Sequence, residues 1–219
     1  MKKTKILNLY AGLGGNRKHW TNCEVTAVEI NPEVAAIYKD LFPDDNVIIG
    51  DAHQYLLEHC KEFDFIWSSP PCQSHSKMKR VSIQRGQVKA EYVGLNLWQE
   101  IILLKNFAPK RTRWIVENVK PYYKPLINPR FELGRHLFWS NFDVLPFKMV
   151  EIPNFIDAKY DDLMKWLGFN FKQKVYYGNN HCPAQILRNC VHPDLGLHIY
   201  KESKRIGLFN EKDFNYERN

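Results

Sequence analysis

Short apolar runs alternate with longer amphipathic ones up to about residue 142. The runs KILNLY, VTAVE, NVIIG, FDFIWSS and WIVENV are brief, rich in β-branched or aromatic residues and bounded by Gly, Asn, Asp or Pro, which predicts five strands. Helical patterns lie between them. NPEVAAIYKDLF opens with Asn31 as an N-cap and Pro32 at the first helical position, HQYLLEHCKEF follows, and LNLWQEIILLKNF sets Leu97, Ile101 and Leu104 on one face. Strand and helix in alternation predict an α/β fold, a largely parallel sheet with right-handed crossovers. Residues 143–180 break the pattern: they are aromatic-rich, irregular and too few to bury a core alone, so they are expected to pack on the main body. The final NEKDFNYERN reads as a charged end.

Composition adds two constraints. A chain of 219 residues, 44% hydrophobic and 14% aromatic, suffices for one substantial domain. Its 31 Lys and Arg against 24 Asp and Glu give a net charge of +7, which suits a polyanionic partner without requiring one. The apolar run after the charged start is short and interrupted by Asn8, so no signal peptide is expected there. No run approaches the roughly 20 apolar residues of a membrane span. Cys23, Cys60, Cys72, Cys182 and Cys190 are odd in number, widely spaced and free of a CxxC pair. That pattern argues against a disulfide framework or a metal site and for a reducing, cytoplasmic compartment.

The candidate chemistry collects at strand ends. The first strand runs into Gly12, Leu13, Gly14 and Gly15, a turn in which the backbone can approach a ligand, although the full dinucleotide-binding pattern is missing. Glu29 ends the second strand, at a position suited to ribose hydroxyls, and Asp51 follows the third. The fourth run ends in Pro70 and Pro71, which fix the direction in which the chain leaves the strand and present Cys72. Glu117 lies at the end of the fifth. A thiol and a carboxyl brought to one crevice imply covalent catalysis.

YAGLGG, VEINP, GDAHQYL, SSPPCQSHS and WIVENV, in this order and at these spacings, resemble the successive motifs of the C5-cytosine DNA methyltransferases, and QILRNCVHPDLG is similar to that family's last motif. The resemblance implies a Rossmann-like sheet that binds S-adenosylmethionine, with a catalytic domain over 1–142, a reduced target recognition region over 143–180 and a segment, 181–219, that returns to the catalytic domain. It implies that the Cys72 thiolate attacks C6 of a cytosine flipped out of double-stranded DNA while Glu117, protonated, hydrogen-bonds the ring. The methyl group then passes to C5. For the cofactor it implies contacts from Tyr10, the Gly12, Gly14 and Gly15 turn, Ile30 and Leu97, with Glu29 on the ribose, Asp51 on the adenine amine, and Asn189 and Val191 closing the pocket. Pro71 and Gln73 would shape the nucleophile turn, Ser76 and Asn118 would face the substrate, and the basic stretch containing Lys79 and Arg80, otherwise a solvated loop, would close on phosphates. A monomer is expected.

The sequence departs from the family pattern in two places. Where the family carries an arginine pair before a strand, this chain reads GRHLFWSNF: Arg135 is the natural candidate to hold the target base, and a one-residue shift would give the role to His136. The recognition region is reduced to a stretch in which Lys148, Lys159, Lys165, Lys172 and Lys174 stand among Trp166, Phe169, Phe171, Tyr176 and Tyr177, a mixture that suits either groove contact or packing on the main domain. A relative that methylates tRNA is the main alternative. Such relatives tend to carry a Cys-Phe-Thr tripeptide, which this chain lacks. A catalytically silent nucleic-acid-binding module is the third reading.

Overall fold

The computed structural model describes residues 2–148, 152–176 and 182–205; Tyr177 and the charged end of the chain lie outside them. Strand β1 (Thr4–Leu9) is central, paired in parallel with β2 (Cys23–Glu29) on one side and β4 (Phe65–Ser68) on the other. Beyond β2 lies β3 (Asn46–Ile49), and beyond β4 lies β5 (Arg113–Val119), both also parallel. The sheet is completed by β6 (Phe131–Leu133) and β7 (His136–Ser140), antiparallel to each other, with β7 against β5. The seven strands run in the order β3-β2-β1-β4-β5-β7-β6, so the winding reverses between β1 and β4. Ligands of open α/β sheets bind at the carboxyl edge of that reversal.

The apolar runs are continuous because both faces are covered. Leu7, Leu9, Ile66 and Val116 point into a core shared with Leu56 of α2 (Ala52–His59) and with Leu97, Ile101 and Leu104 of α4 (Asn96–Phe107). Their neighbours Ile6, Phe65, Trp67 and Ile115 point the other way, onto Trp20 and onto Leu195, Ile199 and Tyr200 of α7 (Pro193–Ser203). Period-two alternation therefore survives as a sorting between two cores. Asn8, fully buried on β1, is satisfied by a side-chain pair with Asn16.

Helix α1 (Pro32–Leu41) starts as the sequence predicts: Asn31 Oδ1 accepts from the Glu33 amide at 2.9 Å and the Val34 amide at 3.3 Å. A third cluster joins Leu13 and α1's Val34 and Ile37 to Leu163, Met164 and Leu167 of α5 (Tyr160–Leu167) and to Ile186 and Leu187 of α6 (Ala184–Arg188). Residues 152–176 thus bury most of their apolar side chains against the α1 side of the main body, Ile156 and Tyr176 remaining exposed. Lys18 holds them there, its ammonium donating to the carbonyls of Leu167, at 2.8 Å, and Gly168 at the end of α5.

Two segments differ from expectation. The basic stretch after the nucleophile turn is a helix, α3 (Lys77–Gln84), capped by the Ser76 hydroxyl, rather than a loop, and none of its residues is buried. The β6–β7 hairpin was not anticipated as a pair; Gly134, at φ +58°, lets its two-residue connection turn and places Arg135 at the tip.

Helix α7 packs directly on the glycine turn. A Cβ on Gly196 would overlap the Asn16 carbonyl and stand 2.6 Å from its Cα. Gly196→Ala is therefore expected to lower stability by about 1–3 kcal/mol in urea unfolding. Gly50→Ala, whose Cβ would meet nothing closer than 3.9 Å, is expected to stay within about 0.5 kcal/mol of the wild type.

Candidate active site at the carboxyl edge of the sheet

After Ser68 the chain turns through Pro70 and Pro71, and the turn is held from the neighbouring strand. The Asn118 side-chain amide donates to the Pro70 carbonyl at 2.8 Å, while its oxygen accepts from the Val119 amide at 3.0 Å. Asn118 is 1% exposed, so instead of facing a substrate its side chain clamps the nucleophile turn to β5. The turn then closes on itself, the His75 amide donating to the Cys72 carbonyl at 3.0 Å. His75 is buried, with Nδ1 2.5 Å from the Tyr123 hydroxyl, and forms a floor beneath the turn with Trp98. Pro71 and Gln73 are exposed; Ser76 is committed to capping α3 and bridging to Pro121.

Cys72, Glu117 and Arg135 come together. Glu117 is 7% exposed on β5 and pairs across to Phe138 of β7. Burial and the negative charge of Glu117 push the Cys72 thiol up to about 11, against the opposing influence of a backbone amide and the Arg135 guanidinium. The free protein therefore holds Cys72 as a thiol at neutral pH, not as the thiolate. Arg135 lies over the Phe155 ring, 3.6 Å from its centroid; burial lowers its pKa while Glu117 and Cys72 oppose that. His136 Nε2 stands 3.4 Å from Glu117 Oε1, and burial lowers its pKa too, favouring the neutral ring. Both candidates for the base-holding role thus border Glu117: Arg135 is the one whose charge also reaches Cys72, and His136 is the closer neighbour of the carboxyl.

On the other side of the winding reversal, the glycines divide their work. Gly12, at φ +53°, is uncrowded: a Cβ there would meet nothing closer than the Tyr10 carbonyl oxygen at 4.0 Å. Gly14 is pressed on the rings of Tyr38 and Phe42, and Gly15 on Cys190 and the Val191 carbonyl, so these two make room for the protein itself. Glu29 is 4% exposed; its oxygens accept from the amides of Gly12 and Asn31, each at 2.9 Å. Burial raises its pKa and those amides oppose the rise. Asp51 is exposed and caps α2 through the His53 and Gln54 amides. Ile30 is 67% exposed beside them. Leu97 and Val191 have their side chains in the core, and Asn189 is exposed, bonded to Gln185, so the last motif reaches the glycine turn through the Cys190 side chain and the Val191 carbonyl.

Two of the three cations of α3 have partners within the protein: Lys79 bonds Glu91 at 2.6 Å, and Arg80 donates to the Tyr122 carbonyl at 3.3 Å and lies over its ring. A cavity of about 880 Å³ lies at the opposite, amino-terminal edge of the strands, lined by Lys5, Cys23, Glu24 and Asn46 among others, and takes no part in this arrangement. The sequence reading missed Glu100, a fully buried carboxylate bonded to Tyr10, His53 and Ser68. The signal was there: an acid in the apolar stripe of α4, three residues after Leu97.

Alkylation of Cys72, followed by peptide-resolved mass spectrometry, tests the electrostatics. The rate is expected to climb roughly tenfold per pH unit without levelling below about pH 11. Glu117→Gln removes a negative neighbour and should speed alkylation at pH 8, whereas Arg135→Met should slow it; the reverse order would refute the assigned neighbours.

A sequence model described as C-5 cytosine-specific DNA methylase matches residues 4–129. The chain is also 35% identical over 80 residues to a tRNA (cytosine(38)-C(5))-methyltransferase of Spodoptera frugiperda, a match spanning 33% of this chain and about a quarter, 24%, of that relative's length. Among solved structures it is similar to a mutant of Spodoptera frugiperda DNMT2 (26% identity, TM-score 0.38, 54% of this chain and 36% of that one). A SAM-dependent methyltransferase from Agrobacterium tumefaciens is similar at 15% identity (TM-score 0.38, 55% and 40% covered). These structural likenesses are loose, and the fold rests on the strand order itself. S-adenosylmethionine is the methyl donor that the family indicates. With its matched region running from the first strand through the glycine turn, the Pro-Pro-Cys turn and Glu117, the chain belongs to the C-5 cytosine-specific DNA methylase family.

Proposed function

We propose that this protein transfers a methyl group from S-adenosylmethionine to C5 of a cytosine in double-stranded DNA, with Cys72 as the nucleophile. The observation that carries the reading is the convergence of Cys72, Glu117 and Arg135 on one side of the winding reversal, with Gly12, Glu29 and Asp51 on the other. The cofactor suits the residues present: Gly12, at positive φ, is uncrowded by the protein, Glu29 is a buried carboxylate at the end of the second strand, and Ile30 offers an exposed apolar surface. When bound, S-adenosylmethionine supplies an electrophilic methyl group.

The protein's own residues do the rest. Cys72 gives its proton to a base from solvent as its sulfur bonds to cytosine C6, while Glu117, protonated, donates a hydrogen bond to N3 and draws electron density out of the ring. C5 gains the methyl group; its proton then passes to a base from solvent, the C5–H electrons restore the C5–C6 double bond, and the C6–S bond breaks with the sulfur keeping its electron pair. The high pKa of the resting thiol fits a site in which the cationic cofactor and the ring's bond to Glu117 together make the thiolate affordable. Arg135, at the hairpin tip, is placed to hold the base from the side of Glu117.

The tRNA reading has its own support, because the curated relative acts on tRNA cytosine. Against it stands the absence of the Cys-Phe-Thr tripeptide. Transfer of labelled methyl to duplex DNA by the wild type, lost in Cys72→Ala, is the expected result, together with a stable Cys72 adduct on duplexes containing 5-fluorocytosine. Transfer to tRNA alone would assign the second reading, and no transfer to either would refute the enzyme. The exposed, basic α3 beside Cys72 further implies a phosphate contact. Duplex affinity is expected to fall steeply as salt is raised, and a flat salt response would remove α3 from the interface.

A further inference from the structure

Glu100 has no accessible surface, yet it carries an ionisable group into an apolar helix face. Three groups reach it from three different elements. The Tyr10 hydroxyl donates to Oε1 at 2.5 Å, His53 Nδ1 lies 3.0 Å from the same oxygen, and the Ser68 hydroxyl donates to Oε2 at 2.5 Å. Tyr10 follows β1, Ser68 ends β4, and His53 stands in the first turn of α2, two residues after Asp51. The carboxylate therefore sits beneath the point where the winding reverses, joining the end of one central strand to the end of the other.

Packing gives no reason for this choice. Leu97, Ile101 and Leu104 on the same helix fill the core, and an apolar residue of similar volume would avoid burying a carboxylate altogether. The partners also carry constraint. Tyr10 is a non-glycine residue at φ +54°, a backbone state that is costly for an L side chain, and its phenol is held far above its usual range by burial and Glu100, so it remains a donor. His53 is held above the ordinary imidazole range chiefly by its hydrogen bond to Glu100.

Building on the methyltransferase reading, we propose that Glu100 is a positioning residue: one oxygen fixes Tyr10 and the start of α2 at the cofactor side, and the other fixes the strand end that leads into the Cys72 turn. Each side can be released separately. Tyr10→Phe removes the donor on the cofactor side, Ser68→Ala the donor on the nucleophile side, and Glu100→Gln the acceptor common to both.

The experiment uses the 219-residue chain and measures two quantities: the affinity for S-adenosylhomocysteine by calorimetry, and the rate of Cys72 alkylation as a function of pH. Tyr10→Phe should weaken S-adenosylhomocysteine about tenfold and leave the alkylation profile in place; Ser68→Ala should shift the profile and leave the affinity in place; Glu100→Gln should do both. If Glu100→Gln does not fold, the split between the other two variants still decides. Wild-type values for both quantities in Tyr10→Phe and Ser68→Ala would overturn the proposal, as would equal losses of both in each, which mark general destabilisation. A wild type that does not bind S-adenosylhomocysteine would overturn the methyltransferase reading and this proposal with it.

Discussion

The burial of β1 on both faces is the constraint from which the remainder of the architecture follows. Leu7 and Leu9 enter one core and Ile6 the other, so the strand must lie inside the sheet, between β2 and β4. Its carboxyl end then becomes the place where the two halves of the sheet part. The buried amide of Asn8 sharpens this: it requires a polar partner, finds it in Asn16, and so ties the far end of the glycine turn back to the strand it left. Asn16 in turn is where α7 lands, through Gly196.

A second theme is that low polarity, more than any single charge, sets the character of the edge. Burial is the leading influence on Cys72, Arg135, His136 and Glu29 alike, and in each case it disfavours the ionised form. At Arg135 the charges of Glu117 and Cys72 oppose it, whereas at Cys72 the Glu117 charge adds to it and Arg135 opposes both. Such a site is reluctant to hold charge when empty, and incoming charged or polar ligands change its chemistry more than they would change that of a solvated cleft.

The five parallel strands and the helices α1, α2 and α4 were legible because their signals are local: alternation, an apolar stripe, Asn31 with Pro32. The edge itself was partly legible, since Gly12, Glu29, Asp51, Cys72 and Glu117 are marked by strand ends and turn residues. What escaped depends on distant partners or on missing signals. Asn118 clamps a carbonyl 48 residues away, which no local pattern announces. Glu100 hid inside a helix that was read for its apolar face. Helix α3 offers no apolar stripe to a core, so its charge run read as a loop. The three glycines looked alike in sequence, and only packing shows that Gly14 and Gly15 yield to rings and backbone while Gly12 has nothing closer than 4.0 Å.

Helix α3, without a buried side chain, has a thermodynamic consequence. An element anchored mainly by its cap and surface pairs can open in a sub-global fluctuation whose free energy is far below that of the whole fold, and its amides should belong to the fast-exchanging population. The sheet and the clamped Pro-Pro turn need not loosen when it does. The segment adjoining Cys72 can therefore be reshaped while the strand ends that fix the sulfur stay where they are.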